Sequence, residues 1–349
     1  MEERETPLKL GYSMPAEWEK HEATWLSWPK NHDSFPDEIL RGVEEAYVKM
    51  VNSLSMVEKV NILIYSAADE ESVAMKLEEE SINRKNVNFH RIKTADVWFR
   101  DYGPLFIKRN SSHGRDVAYT HWKFNAWGNK YDDLKADANV PKLMPLQSMK
   151  HFDAPMVLEG GSIDVNGMGA CLATEQCLLN NNRNPELDRE EIEKNLYDYL
   201  GVKKMIWLKR GVAGDDTDGH VDDVARFVSE DTVVCAVEND KKDENYAALK
   251  ENYNILRNAA DQDGKRLNVA RLPMPGKVEY MGQRLPASYT NFYIANDTVL
   301  VPIFNDRNDV AAMKILKGLF SSRKIEGVDC RELVCGFGGV HCVTQQQPA

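Results

Sequence analysis

The sequence predicts an α/β protein built as one domain. Helical stripes alternate with short strand-like runs along its 349 residues, and no Gly/Ser/Pro-rich linker divides them. The first stripe lies in 39–54, where Ile39, Leu40, Val43, Tyr47, Met50, Val51 and Leu54 share a face, and Val60–Tyr65 reads as the strand after it. In 189–200 the stripe is Ile192, Leu196 and Leu200, followed by Lys203–Leu208. In 243–261 it is Tyr246, Leu249, Tyr253, Leu256 and Ala260, followed by Leu267–Leu272. In 309–320 it is Val310, Met313, Leu316 and Phe320, with Glu332–Cys335 as the strand beyond.

A coarser spacing overlies these elements. Strand-like runs begin near 87, 152, 203, 267 and 331, about 65, 51, 64 and 64 residues apart. No clear sequence identity links the units. The spacing fits five units of about 70 residues in one closed domain, and fits a non-repetitive α/β chain equally well.

Composition narrows the function classes. Hydrophobic content of 42% with 28% charged residues describes a soluble globular chain. Fifty-five acids against 44 bases give a net charge of −11, which disfavours nucleic acid and anionic membrane and suits a cationic ligand. No run of 18 apolar residues predicts a membrane span. The charged start Met-Glu-Glu-Arg-Glu-Thr-Pro has no apolar core of a signal peptide, so a cytoplasmic location is expected. The six cysteines (171, 177, 235, 330, 335 and 342) form no Cys-x-x-Cys pair, which argues against a zinc ribbon. Free thiols in a reducing compartment are expected, with a Cys171–Cys177 disulfide as the alternative.

The loops after the strand-like runs hold the polar chemistry. They are Trp98–Pro104, Leu158–Ser162, the acidic stretch Gly214–Asp223, Pro286–Asn291, and the segment around Cys342. Cys342 follows Gly338 and Gly339, adjoins a histidine and precedes a Thr-Gln run. A thiol presented on a glycine-bent backbone among polar groups reads as a nucleophile rather than a packing residue. If the loops converge, one thiol, one histidine and at least three carboxylates share a site. Two carboxylates can clamp a planar guanidinium bidentately and leave its carbon open to attack. A thiolate would add there, and a histidine would protonate departing ammonia and then activate water. A bound cation also lowers the pKa of a neighbouring thiol, so substrate could help create its own nucleophile.

Each group also has a plain structural reading. Cys342 could pack, His220 could cap a turn, Asp101 could pair with Arg100, and Glu159 could be an idle loop carboxylate. Asp215, Asp216, Asp218, Asp222 and Asp223 could form a solvated acidic loop or a divalent-cation site. A two-histidine iron site would need His21, His121 or His341, none of which has supporting context.

At these loops the sequence resembles the agmatine deiminase family, grouped with bacterial-type peptidyl-arginine deiminases in the guanidino-group-modifying (pentein) superfamily. The resemblance covers nearly the whole chain. It rests on Met14–Glu19, Thr24–Pro29, Trp98–Pro104, Lys123–Gly128, Leu158–Ser162, Asp218–Asp222, Ala287–Tyr293 and Gly338–Pro348. It implies a five-bladed α/β propeller of ββαβ modules, with the whole chain 1–349 as one catalytic domain. It implies Cys342 as nucleophile, His220 as general acid and base, Asp101 and Asp222 as the guanidinium clamp, and Glu159 as the holder of His220. Trp98 would line the pocket against the aliphatic arm, with Asp218, Asn291 and Gly339 as further substrate contacts. Neither a metal nor an organic cofactor is expected, and a homo-oligomer, dimer or higher, is. The expected reaction is hydrolysis of agmatine to N-carbamoylputrescine and ammonia, a step toward putrescine and the polyamines. Two departures from the family pattern, Val340 before His341 and Tyr102 after Asp101, lie beside the pocket and touch no reacting group.

Substrate choice turns on the far end of the guanidine. Agmatine ends in an amine and calls for acids there. A peptide with C-terminal arginine ends in a carboxylate and calls for a base. The loop Phe124–Gly128 contains no arginine, and Asp215, Asp216 and Asp218 are acids, which favours agmatine over the peptide. Lys123 and Lys130 weigh the other way. An amidinotransferase, or a deiminase of another small guanidine, would use the same thiol intermediate.

Overall fold

A computed structural model describes residues 5–111 and 114–349, and the fold is a five-bladed α/β propeller. The first blade contains β1 (His21–Ser27), β2 (Lys59–Ile64) and β3 (Val87–Arg91). The second contains β4 (Leu105–Ser111), β5 (Gly114–Lys123) and β6 (Lys150–Val157). The third contains β7 (Ile163–Val165), β8 (Ala170–Thr174) and β9 (Lys204–Leu208). The fourth contains β10 (Ala225–Ser229), β11 (Thr232–Val237) and β12 (Asn268–Pro273). A small hairpin of β13 (Glu279–Tyr280) and β14 (Gln283–Arg284) precedes the fifth blade. That blade contains β15 (Tyr293–Ile294), β16 (Thr298–Ile303) and β17 (Lys324–Asp329). The last strand, β18 (Gln345–Pro348), returns to the first blade and pairs antiparallel with β1, Trp25 opposite Gln345.

Every blade repeats one pattern: an antiparallel pair, then a helical connection to a parallel third strand. Parallel strands need such a crossover, and their central members are buried on both faces. All five residues of β8 are buried, as are Val233 to Val237 of β11. The predicted helices form at Asp37–Ser55, Arg189–Leu200, Asn245–Asn258 and Asp309–Leu319. The second of these opens with a reciprocal capping box between Asp188 and Glu191. It ends on Gly201 at φ +73°, a left-handed conformation that glycine adopts without strain. Leu249 and Leu256 of the third are fully buried with Val233 and Cys235 of β11, each such side chain contributing roughly 1.5–3 kcal/mol.

Two expectations need correction. Glu332–Cys335 is not a strand; Leu333–Gly336 is a short 3₁₀ turn that buries Leu333 and Val334. A short apolar run does not reveal its period. The fifth parallel strand lies earlier, in Lys324–Asp329, where charged residues and partial burial hide the pattern. The Cys342 segment leads into β18, which pairs with β1 and so closes the first blade and the ring. The sequence reading also passed over the helix Ala67–Glu79, which buries only Val73 and Leu77. Among the described residues no helix is long and apolar enough to cross a membrane.

Candidate active site

The leading strands of adjacent blades touch, β18 against β4 and β7 against β10, and charged side chains fill the space between them. Glu17 is the hub. Its carboxylate accepts from Arg226 at 2.8 Å, Arg100 at 3.2 Å, His341 at 2.9 Å and the Ile294 amide at 2.8 Å. Burial opposes its charge, yet the Arg226 guanidinium and the other cations hold it well below the usual carboxylate range. Arg100 thus pairs with Glu17 and not with Asp101. Arg226 also binds Asp164 and donates to the Phe292 carbonyl at 2.8 Å. Such a network ties Asp164 of β7, Arg226 of β10 and Ile294 of β15 to the segments before β1 and β4 and to the C-terminal segment, and removing one member leaves buried charges uncompensated.

The predicted reacting groups sit at one end of this network. His341 links them to it: its Nδ1 lies 2.7 Å from Asp222 Oδ2 while Nε2 lies against Glu17. Asp222 Oδ2 is 3.9 Å from Cys342 Sγ. Asn291 donates to that sulfur at 3.1 Å, and its amide oxygen accepts from the His341 amide at 2.9 Å. Asp101 accepts from Trp127 Nε1 at 2.9 Å and from the Gly161 amide at 3.0 Å, and its Oδ1 lies 3.8 Å from His220 Nδ1. Gly161 marks where three groups meet. A Cβ there would lie 2.7 Å from His220 Nδ1, 2.9 Å from Asp101 Oδ1 and 3.1 Å from Asp222 Oδ2. Gly338 allows similar crowding against Trp98, whose ring a Cβ would approach to 2.3 Å.

Glu159 is held differently from expectation. Arg183 Nε donates to its Oε1 at 2.7 Å, and the structure gives it no hydrogen bond to His220, although the two approach within 4.8 Å. Glu159 Oε2, Asp222 Oδ1 and both ring nitrogens of His220 are buried without a nitrogen or oxygen partner among the described residues. Four such atoms in one place are costly unless a ligand engages them.

Electrostatics follow from the crowding. Burial, then the Asp222, Asp223 and Asp101 carboxylates, push the Cys342 thiol well above its ordinary value, against an opposing backbone hydrogen bond from Gly339. Burial works against a charged His220, but the Asp101 carboxylate raises it well above a normal histidine. Burial raises Asp101, and Asp222 nearby adds to the rise. Asp222 is held low despite burial by the hydrogen bond and charge of His341.

Cys342 and Asp101 open onto a cleft of about 350 Å³. Trp98, Trp127 and Tyr131 supply aromatic wall, and Asp33, Asp96, Asp133 and Asp216 join Asp101 as acids. Among the described residues no lysine or arginine lines it. Burial lifts Asp96 to about 6. A larger surface groove of about 1020 Å³, beside Lys204–Trp207 and the helix Asn245–Asn258, holds none of the candidate groups.

Other predicted contacts fall unevenly. Trp98 lines the cleft. Asn291 and Gly339 reach the sulfur and its loop rather than the cleft wall. Asp218 does not line the cleft: Arg183, Asn182 and Lys130 occupy its oxygens at 2.5, 2.9 and 3.0 Å. Lys130 is spent on this contact and on Asp216, so it too stays off the wall. The acidic loop is neither solvated nor uniform. Asp215 accepts the His220 amide at 2.9 Å, and Asp222 and Asp223 are buried. All six cysteines are free, so the Cys171–Cys177 bridge does not form. Sequence reasoning gave no role to Glu17 or Arg183, considered Cys177 only as a free or bridged thiol, and considered His341 only as a metal ligand. The one signal was the adjacency of His341 to Cys342.

A model of the Porphyromonas-type peptidyl-arginine deiminase family matches residues 13–348. The chain belongs to this family. It is 36% identical over 375 residues to an agmatine deiminase of Medicago truncatula, covering 99% of this chain and 98% of that one. A solved agmatine deiminase of Enterococcus faecalis matches with a TM-score of 0.91 and 33% identity, over 99% of this chain and 98% of that one. A substrate-bound agmatine deiminase of C. jejuni matches with a TM-score of 0.86 and 32% identity, over 97% and 96%. Among family members, then, this chain is similar over its full length to proteins named for agmatine.

Proposed function

We propose that the protein hydrolyses agmatine to N-carbamoylputrescine and ammonia. The observation that carries this reading is a buried thiol beside Asp222 and Asp101, with His220 against Asp101, at a cleft whose charged lining among the described residues is wholly acidic. Asp222, with Oδ1 free, and Asp101 clamp the guanidinium. The cation offsets the carboxylates that hold the Cys342 thiol neutral, so binding and deprotonation are coupled. The thiolate adds to the guanidinium carbon and His220 gives its proton to the leaving nitrogen. Ammonia departs, leaving an amidino-thioether on Cys342. Neutral His220 takes a proton from water, the hydroxide adds to the same carbon, and collapse expels the thiolate with the urea product. Glu159, one oxygen fixed by Arg183, keeps the other for the His220 imidazolium. Agmatine plus water gives N-carbamoylputrescine plus ammonia, with no other reactant.

The same groups would deiminate a peptide ending in arginine, the substrate class in the family name. The acidic cleft argues against it, since a terminal carboxylate would meet five aspartates and no cation. Ammonia release from agmatine, free arginine and an arginine-terminated peptide decides between them. The reading requires agmatine to have the highest kcat/KM, and a preference for the peptide would overturn it. Product analysis with an added acceptor amine separates hydrolysis from amidino transfer.

A further inference from the structure

One thiol of this site has no task in the chemistry above. Cys177 Sγ, a nitrogen of His220 and a carboxylate oxygen of Glu159 all lie within 4.8 Å of one another. The three residues are buried, at 0%, 1% and 0% exposure, and arrive from three separate segments. Cys177 belongs to the single turn Glu175–Leu178, where Thr174 Oγ1 accepts its amide at 3.1 Å. A second, independent observation bears on the same place. Among the described residues Glu159 Oε2 has no hydrogen-bond partner, and the His220 nitrogens meet no nitrogen or oxygen partner, only the Cys177 thiol beside them. Guanidinium binding accounts for His220, but it does not account for a thiol within 4.8 Å of one of its ring nitrogens.

Thiolate, imidazole and carboxylate together are the donor set of a tetrahedral zinc site with one position left for water. We infer that Glu159, Cys177 and His220 form a Zn²⁺ site whose occupation silences His220. Metal–ligand bonds of about 2.0–2.3 Å require the three donors to draw together by roughly an ångström. Groups behind them are already fixed: Arg183 orients the Glu159 carboxylate and Thr174 orients the Cys177 turn. On binding, the Cys177 thiol loses its proton to solvent as the Zn–S bond forms. His220 binds through one neutral nitrogen and can no longer deliver the proton that the leaving ammonia needs. His220 Nδ1 lies 3.8 Å from Asp101, which lines the cleft, so metal on His220 and guanidinium in the clamp compete. The binding stands on the geometry alone, whereas the inhibition rests on the deiminase reading.

The test uses the full-length chain and Co²⁺ as a spectroscopic substitute for Zn²⁺. In the Cys342→Ser variant, which removes the nucleophile as a rival ligand, one equivalent of Co²⁺ is expected to give a near-ultraviolet thiolate-to-cobalt absorption that Zn²⁺ abolishes. The band survives when Cys335→Ser is added, which removes the other cleft thiol, and vanishes when Cys177→Ser or Cys177→Ala is added instead. Absence of the band in Cys342→Ser, or its survival without Cys177 in a variant with native circular dichroism, overturns the site. In the otherwise native chain, Cys177→Ala is expected to keep agmatine turnover and raise the half-inhibitory Zn²⁺ concentration at least tenfold. Unchanged zinc sensitivity would assign inhibition to Cys342 and overturn the proposed silencing. A Cys177-dependent band in a protein that releases no ammonia from agmatine would keep the metal site and remove the deiminase reading.

Discussion

Replacing Asp222 by asparagine should move two rates in opposite directions. The carboxylate sits 3.9 Å from Cys342 Sγ and is fully buried. At that distance and an effective dielectric near 20, a unit charge on each group repels the other by about 4 kcal/mol, which raises the thiol. Asparagine removes that repulsion, so the free thiol should ionise more readily. Alkylation by neutral iodoacetamide at pH 7.5 should quicken by about tenfold or more, since unmodified Cys342 is almost wholly protonated there. Agmatine turnover should do the reverse. Losing one side of the guanidinium clamp should remove about 2–4 kcal/mol of transition-state stabilisation, roughly 30- to 900-fold in kcat/KM. The assays are ammonia release and timed alkylation followed by peptide mapping of Cys342. Near-normal turnover would refute the clamp. A fall in both rates would refute the electrostatic account of the thiol.

Other consequences are more local. Gly161→Ala should keep the fold and lose at least about 100-fold in kcat, because its Cβ would stand 2.7 Å from His220 Nδ1 and displace it; wild-type kcat would show that the three groups do not converge there. Glu17→Gln removes the charge that two arginines and His341 share, and chemical denaturation should show a loss of about 3–5 kcal/mol. A change below 1 kcal/mol would mean that the axial network is not a structural hub. Deleting residues 345–349 removes β18 from the first blade and should abolish both turnover and cooperative unfolding. A truncated chain that still melts in one sharp transition would show that the ring closes without it.

Much of the site was legible because its chemistry is concentrated in short loops. Cys342, His220, Asp101, Asp222 and Glu159 each sit within a few residues of a glycine or a strand end, and the structure brings all five together. What holds them was not legible. Glu17 meets Arg226 across 209 positions and His341 across 324, and no local pattern announces a buried ion pair between such distant residues. Cys177 was weighed only as a free thiol or a disulfide partner of Cys171, and Arg183, between β8 and β9, meets Glu159 in the separate connection between β6 and β7. In the fold, the four striped helices and the strands β2, β3, β6, β9 and β12 were read from the sequence, while the central strands β5, β8, β11 and β16 were not named. The failures were β17, a half-exposed strand rich in charge, and the Leu333–Gly336 turn, whose apolar residues imitate one. Blade closure by β18 was hidden for a plainer reason: Gln-Gln-Gln-Pro carries no strand pattern, and only its partner β1 makes it one.

The central claim is that Cys342 attacks the guanidinium carbon. Rapid quenching with agmatine within the first turnover, followed by intact-mass and peptide mass spectrometry, tests it directly in the native chain and in a His220→Ala variant, where both formation and hydrolysis of the intermediate are slowed. The account predicts a modification on Cys342 alone with the mass of agmatine less ammonia, absent from Cys342→Ser. Unmodified Cys342 in a variant that still releases ammonia would contradict it.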